Sequence, residues 1–270
     1  MKISELSNNK YYLESSVFFF KKNFKRRLDF LNNKVFLFHE ISNFLNNCID
    51  NTKNIFIFSA GNSIISKKIK SKKILIKEID GQYKIQHNEN IEYRDEIYQD
   101  DISNSDTIII ADIEHQSNPA SNLLRLSKII NDESKIIVLS KSMIWMILTK
   151  FLKFFFNFSP FKNNFLPSSY LNNLFSSCNL EIVRNEKIIA LPINIPFFTN
   201  FINKLFRLPI LNLLCLTNVI ILKKVNQNLD KKKNLNVSFI IPCKNEESNV
   251  KFFEKNIISS NINYEYLFGD

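Results

Sequence analysis

The sequence predicts an α/β protein: one doubly wound, mostly parallel sheet, followed by a small incomplete βαβ unit. Short, fully apolar runs of β-formers recur along residues 51–224. A strand with no polar face belongs to a sheet covered on both sides. Between these runs lie stretches whose apolar residues return every three or four positions, the period of an amphipathic helix. The 270 residues are 45% hydrophobic and 23% charged, enough to bury a core. Alternation of this kind winds into parallel strands joined by helical crossovers.

Residues 10–50 have helical spacing in Tyr11, Tyr12, Val17, Phe18, Phe24, Leu28 and Phe30, with Lys and Arg between them. One or two amphipathic helices are expected there, ahead of the main domain. "NIFIFSA" (54–60) is the first strand, expected in the centre of the sheet. "SKKILIKEID" (71–80), "IEYR" (91–94), "DTIIIAD" (106–112) and "KIIVLS" (135–140) follow as the second to fifth. "NPASNLLRLSKIIND" (118–132) is the helix between the last two, with Leu123, Leu126, Ile129 and Ile130 on one face. "PSSYLNNLFSSC" (167–178) is a later helix with Ser168 as its cap. "LEIVRN" (180–185) and "NVIILKK" (218–224) close the set as strands. "KKVNQNLDKKKNLN" (223–236) is polar and without period, a linker. The expected division is a helical segment over 1–50, the α/β domain over 51–224, a linker over 225–235 and a new βα unit over 236–270.

Composition excludes several classes. The only glycines are Gly61, Gly81 and Gly269, so no GxGxxG phosphate loop exists, which argues against a dinucleotide-dependent oxidoreductase. The net charge of +10 favours anionic surfaces: phospholipid headgroups, nucleotide substrates or nucleic acid. The basic clusters at Lys21–Lys22, Lys25–Arg27, Lys67–Lys73 and Lys231–Lys233 are scattered, so no nucleic-acid partner is expected. Cys48, Cys178, Cys215 and Cys243 lack CxxC spacing; reduced thiols in a cytoplasmic protein are expected, and no metal site. The N-terminus has no apolar signal region. The apolar stretch 142–158 is broken by Lys150 and Lys153, and 208–222 is short for a spanning helix.

Ligands of doubly wound sheets bind beyond the carboxyl ends of the strands, beside the first strand. The turn "FIFSAGNS" (56–63) lies there and holds Gly61, whose missing side chain allows close approach of the backbone. Asp80 ends the second strand, where a carboxylate accepts hydrogen bonds from ribose hydroxyls. Glu78, two residues earlier on the same strand face, takes that place if the strand ends sooner.

These residues resemble a class I S-adenosylmethionine-dependent methyltransferase. In that family the first turn reads like V-L-E-I-G-C-G-T-G; this chain has I-F-I-F-S-A-G-N-S. Gly61 matches the middle glycine, Ser59 and Ser63 stand at the flanking glycine positions, and Ile57 replaces the acid. The resemblance implies a Rossmann-like methyltransferase fold with S-adenosylmethionine as cofactor. Asp80 takes the ribose position, and Asp95 and Ile97 of "IEYRDEI" (91–97) flank the adenine. "SDTIIIADIEHQ" (105–116) puts Asp112 and His115 beside the active-site mouth, and "LPSSYLNNLFSSCNLEIVRN" (166–185) resembles a later family segment. No general catalytic residue is implied, since methyl transfer from a sulfonium needs mainly alignment. Serines in place of glycines can block the methionine end of the cofactor or hydrogen-bond its carboxylate.

"NVSFIIPCKNEESNVKFFEKN" (236–256) resembles the opening of a family 2 glycosyltransferase, "VSVIIPxxNE", on Val237, Ser238, Ile240, Ile241, Pro242, Asn245 and Glu246. "NYEYLFGD" (263–270) resembles its second strand, with Asp270 at the first acid. The resemblance implies an incomplete nucleotide-sugar site and a glycosyltransferase cut short after its first 35 residues. Together the two matches imply a bifunctional enzyme of glycan or lipid-glycan synthesis, a transferase acting on a small-molecule or glycan/lipid-linked acceptor. The alternative is a degenerate, non-catalytic scaffold. In that role the basic, Phe-rich segments 17–30 and 142–165 contact a membrane surface and hold the protein there peripherally.

Overall fold

A computed structural model describes residues 10–11, 29, 34–51, 53–59, 63–78, 84, 89–111, 113–116, 118–144, 147, 166–190, 194–195, 198–206, 208, 211–225, 236–242 and 263–269. The chain divides into two compact units, Met1–Val225 and Asn226–Asp270.

The first unit begins with a two-residue strand, β1 (Lys10–Tyr11), paired antiparallel with β5 (Ile97–Tyr98). Helical spacing across Tyr11 therefore does not make a helix at that position: tertiary pairing overrides the local period. Helix α1 (Val35–Asn46) follows and buries Leu37, Phe38, Ile41, Phe44 and Leu45. The rest of the stretch expected to be helical, 12–28 and 30–33, lies outside the described residues.

The remaining strands are β2 (Asn54–Ser59), β3 (Lys73–Glu78), β4 (Ile91–Tyr93), β6 (Thr107–Ile110), β7 (Lys135–Lys141), β8 (Leu180–Ile188) and β9 (Thr217–Lys224). They form one seven-stranded sheet in the order β4-β3-β2-β6-β7-β9-β8. The first five of that order are parallel neighbours, and β9 is antiparallel to both β7 and β8. With β2 third in the order, its interior position agrees with its wholly apolar run. The order is that of a doubly wound sheet on the β3-β2-β6-β7 side, with an antiparallel strand inserted before the last edge.

Alternation along each strand splits the core into two layers. Ile55, Ile57, Ile74, Ile76, Ile109 and Ile137 face α1. Phe56, Phe58, Ile108, Ile110, Ile136 and Val138 face α3 (Pro119–Ile129) and α4 (Ser168–Ser177). Both faces are covered, which is why these strands have no polar side. Each fully buried Ile or Leu contributes about 1.5–3 kcal/mol. A short α2 (Gln99–Ser103) lies between β5 and β6, and α5 (Phe198–Leu205) lies between β8 and β9.

The helix ends have local causes. Asn118 caps α3, its side-chain oxygen accepting from Ser121 N at 3.0 Å, with Pro119 as the first helical residue. Ser168 is not the cap of α4. Pro167 occupies that position with extended backbone and Ser168 is the first residue inside the helix.

In the second unit β10 (Asn236–Pro242) and β11 (Asn263–Gly269) run parallel, from Asn236 opposite Asn263 to Pro242 opposite Gly269. The turn and helix expected over 243–262 lie outside the described residues. Among the described residues, no helix is long and apolar enough to cross a membrane.

Candidate functional site

The parallel strands change chemistry at one level. β2 is apolar from Ile55 to Phe58 and ends at Ser59, and β3 ends at Glu78. Ser59 and Glu78 are register partners and both are 4% exposed. On β7 the break comes at Ser140, opposite Asn218 of β9, whose side-chain amide donates to Ser140 Oγ at 3.3 Å. Asn218 Oδ1 is buried and finds no hydrogen-bond partner among the described residues. After β6 a 3-10 turn (Ile113–His115) carries Glu114, also buried, which accepts from Lys141 N at 2.5 Å. Buried polar groups are costly unless partnered. A row of them, Ser59, Glu78, Glu114, Ser140 and Asn218, stands at the carboxyl edge, the edge where ligands of doubly wound sheets bind.

The crossover from β2 to β3 runs from this edge, beside Ser63, back to the amino edge of the sheet. Its described residues carry a 3-10 turn, Ser63–Lys68, and no α-helix. Ser, Ile, Ile and Ser are weak helix formers. Helix α1 supplies the missing support. Ser42 Oγ lies 2.7 Å from Ile65 O and 2.8 Å from Phe38 O. Asn46 donates to Lys68 O at 2.8 Å and accepts from Lys70 N at 2.8 Å.

Of the residues expected from sequence, Ser59 ends β2 and Ser63 opens the 3-10 turn, both buried. Gly61, Asp80 and Asp112 lie outside the described residues, as does the side chain of His115. Ile97 is buried at 2% exposure in the layer of Phe58 and Ile102. Asp95 is on the surface, paired with Lys84 at 2.8 Å; that hydrogen bond holds its carboxyl below the usual range. Its carbonyl accepts from Lys77 Nζ, and burial pulls the Lys77 ammonium down. Pro242 ends β10, whereas Asn245, Glu246 and Asp270 lie outside the described residues. Glu114, Ser140 and Asn218 were not anticipated as part of the edge. Their signal is a single polar residue next to or inside an apolar run, at the end that abuts the carboxyl edge.

A cleft of about 850 Å³ opens at the opposite, amino edge, lined by Asn43, Asn46, Lys68, Lys70, Ser71 and Asn90 among others. Asn46 and Asn90 are already engaged in backbone hydrogen bonds there, Asn90 donating to Ser71 O at 3.1 Å. The carboxyl edge, not this cleft, follows the ligand rule for doubly wound sheets.

No family model and no curated protein matches the chain. Solved structures do. One is a chain of the complex between the Haloferax volcanii Trm112 methyltransferase activator and a methyltransferase, at 10% identity and TM-score 0.54, covering 80% of this chain and 100% of that one. Human N-acetylserotonin methyltransferase in complex with SAM matches at 12% identity and TM-score 0.53, covering 78% of this chain and 59% of that one. A SAM-dependent methyltransferase from Thermotoga maritima matches at 10% identity and TM-score 0.52, covering 76% and 98%. The seven-stranded unit therefore has the Rossmann-like fold of the S-adenosylmethionine-dependent methyltransferases.

Proposed function

We propose that the first unit is a methyltransferase that binds S-adenosylmethionine at the carboxyl edge of its sheet. The observation that carries this is the buried carboxylate of Glu78, held in register with Ser59 beside the central strand. A sheet-end carboxylate next to β2 is suited to accept hydrogen bonds from ribose hydroxyls. The solved methyltransferases that share the fold support the same ligand. Asp80, just beyond the strand, is the second candidate for that role. Ser59 and Ser63 stand where the family has glycines, and their hydroxyls can meet the methionine carboxylate. Asp95, Ile97 and Asp112 remain candidates for the adenine side and the mouth.

The cofactor supplies an electrophilic sulfonium methyl. The chain's contribution is to hold the acceptor in line with it, which is where most of the rate comes from when no proton must move first. The acceptor is read as a small molecule or a glycan or lipid-linked glycan in the cytoplasm. That class rests on the second unit, read as the opening of a family 2 glycosyltransferase; the parallel pair β10 and β11 supports it. On this reading the domain division is 1–50, 51–224, 225–235 and 236–270.

Calorimetric titration of the full chain with S-adenosylmethionine and S-adenosylhomocysteine tests the proposal. Saturable heat with both ligands, competed by either one, is expected. Absence of binding to both would leave a scaffold with a methyltransferase fold.

A further inference from the structure

Helix α5 is built inside out. Thr199 and Asn203, one turn apart, are buried at 1% and 6% exposure. Both are fixed by hydrogen bonds to the chain before the helix: Thr199 Oγ1 accepts from Ile195 N at 2.8 Å and Asn203 Oδ1 from Ala190 N at 3.0 Å. The opposite face is apolar and open. Phe201 is 64% exposed, Leu205 37% and Leu208 53%, at the spacing i, i+4, i+7 that puts them in one row. The following 3-10 turn, Leu211–Leu214, has no buried residue, and Leu213 is 62% exposed. Cys215 Sγ donates to Phe206 O at 3.5 Å, which ties that turn to the end of the helix. Ser142 N donates to Leu216 O at 2.9 Å, which ties the residue before Met143, itself 71% exposed, to the chain two residues past that turn. A soluble helix normally turns such a row inward; a contiguous exposed apolar patch marks an interaction surface.

Charge decides between partners. No acidic residue occurs between Glu186 and Asp230, and the only charged residues between Lys187 and Lys223 are Lys204 and Arg207. Lys204 is exposed within the apolar row. An apolar face with cations and no acids suits a surface that is apolar below and anionic at its rim. We propose that Phe201, Leu205, Leu208, Leu213 and Met143 form a docking face for an anionic lipid bilayer, on which the protein lies without spanning it. The face adjoins the start of β9 and the end of β7, at the carboxyl edge that holds Ser140 and Asn218.

Sedimentation of the full chain with phosphatidylcholine vesicles, with and without phosphatidylglycerol, tests this. Binding to the phosphatidylglycerol vesicles is expected, weakened by salt. Phe201→Ser and Leu213→Ser should each lower it about tenfold or more, and Val183→Ser, an exposed apolar change on β8, should not. Lys204→Glu removes no apolar packing and should lower binding to anionic vesicles even if a serine variant fails to fold. The proposal is overturned if the wild type ignores both vesicles, or if the patch variants bind as well as the wild type. It is also overturned if ultracentrifugation shows a dimer that Phe201→Ser dissolves, for then the face joins two copies of the chain. Vesicle binding needs no methyl transfer. Titration with S-adenosylmethionine, unchanged in these variants, therefore fails or succeeds separately.

Discussion

Glu78 and Asp80 illustrate what one residue's position decides. Two acids two positions apart point to the same side of a strand, so the residues alone leave the ribose ligand open between them. The register decides what the sheet itself presents: β3 pairs with β2 as far as Glu78 opposite Ser59, and Glu78 is buried. Hydrogen bonds to a charged group contribute about 1.5–3 kcal/mol. Glu78→Ala should therefore weaken S-adenosylmethionine binding about ten- to hundredfold in calorimetry. Asp80→Ala is expected to change it less; the opposite ranking moves the ribose contact to Asp80. The place of Ser59 at the end of β2 was legible because the turn after a first strand is a fixed place in this architecture. Glu114 and Asn218 were not, because their places depend on a 3-10 turn and on an antiparallel pairing that no local pattern announces.

His39 gives a second residue-scale test. Partial burial and then the nearby Lys68 push its imidazole below the usual 6.5, with Glu40 pulling the other way and Lys67 adding to the fall. The charged form is thus disfavoured in the fold relative to the unfolded chain. The sign follows from linkage: the contribution of neutral His39 is fully present above 6.5 and is lost as pH falls through the lowered folded value. The His39 ring signals in an NMR titration should turn over below pH 6.5, and Lys68→Gln should move that midpoint upward.

At the scale of elements, a helix was expected before residue 50, on apolar residues from Tyr11 to Phe30 that lie outside α1 (Val35–Asn46), and its task was not foreseen. Helix α1 braces the described part of the β2–β3 crossover by bonding its backbone through Ser42 and Asn46. Such contacts between residues more than twenty positions apart leave no trace in local periodicity. Asn46→Ala removes one bond to the 3-10 turn, at Lys68 O, and one to Lys70 N just after it, and should cost about 1–2 kcal/mol in urea unfolding. An unchanged unfolding midpoint would mean that water replaces the amide there without loss. Helix α5 is the complementary case. No helix was expected over 198–205, and periodicity alone would tell only that one face is apolar; the buried Thr199 and Asn203 show that this face is turned outward.

For the whole molecule, fully apolar runs sufficed to predict a sheet covered on both sides, and two core layers on opposite faces are what the fold contains. Strand direction was less accessible. A strand buried on both faces reads the same in either direction, so the antiparallel insertion of β9 comes from its pairing with β7 and β8 rather than from its pattern. Among the described residues, both core layers are drawn from between Leu37 and Leu222. The described strands of the second unit are a single parallel pair, and a two-stranded element is marginal alone in water. The main cooperative unfolding of the chain should therefore belong to the first unit. A chain ending at Val225 should keep the principal thermal transition of the full chain, followed by circular dichroism, and should keep its S-adenosylmethionine affinity. If that shorter chain fails to fold, or melts without a cooperative transition, residues beyond Val225 contribute to the first unit's stability, and the two-unit division gives way to a single cooperative whole.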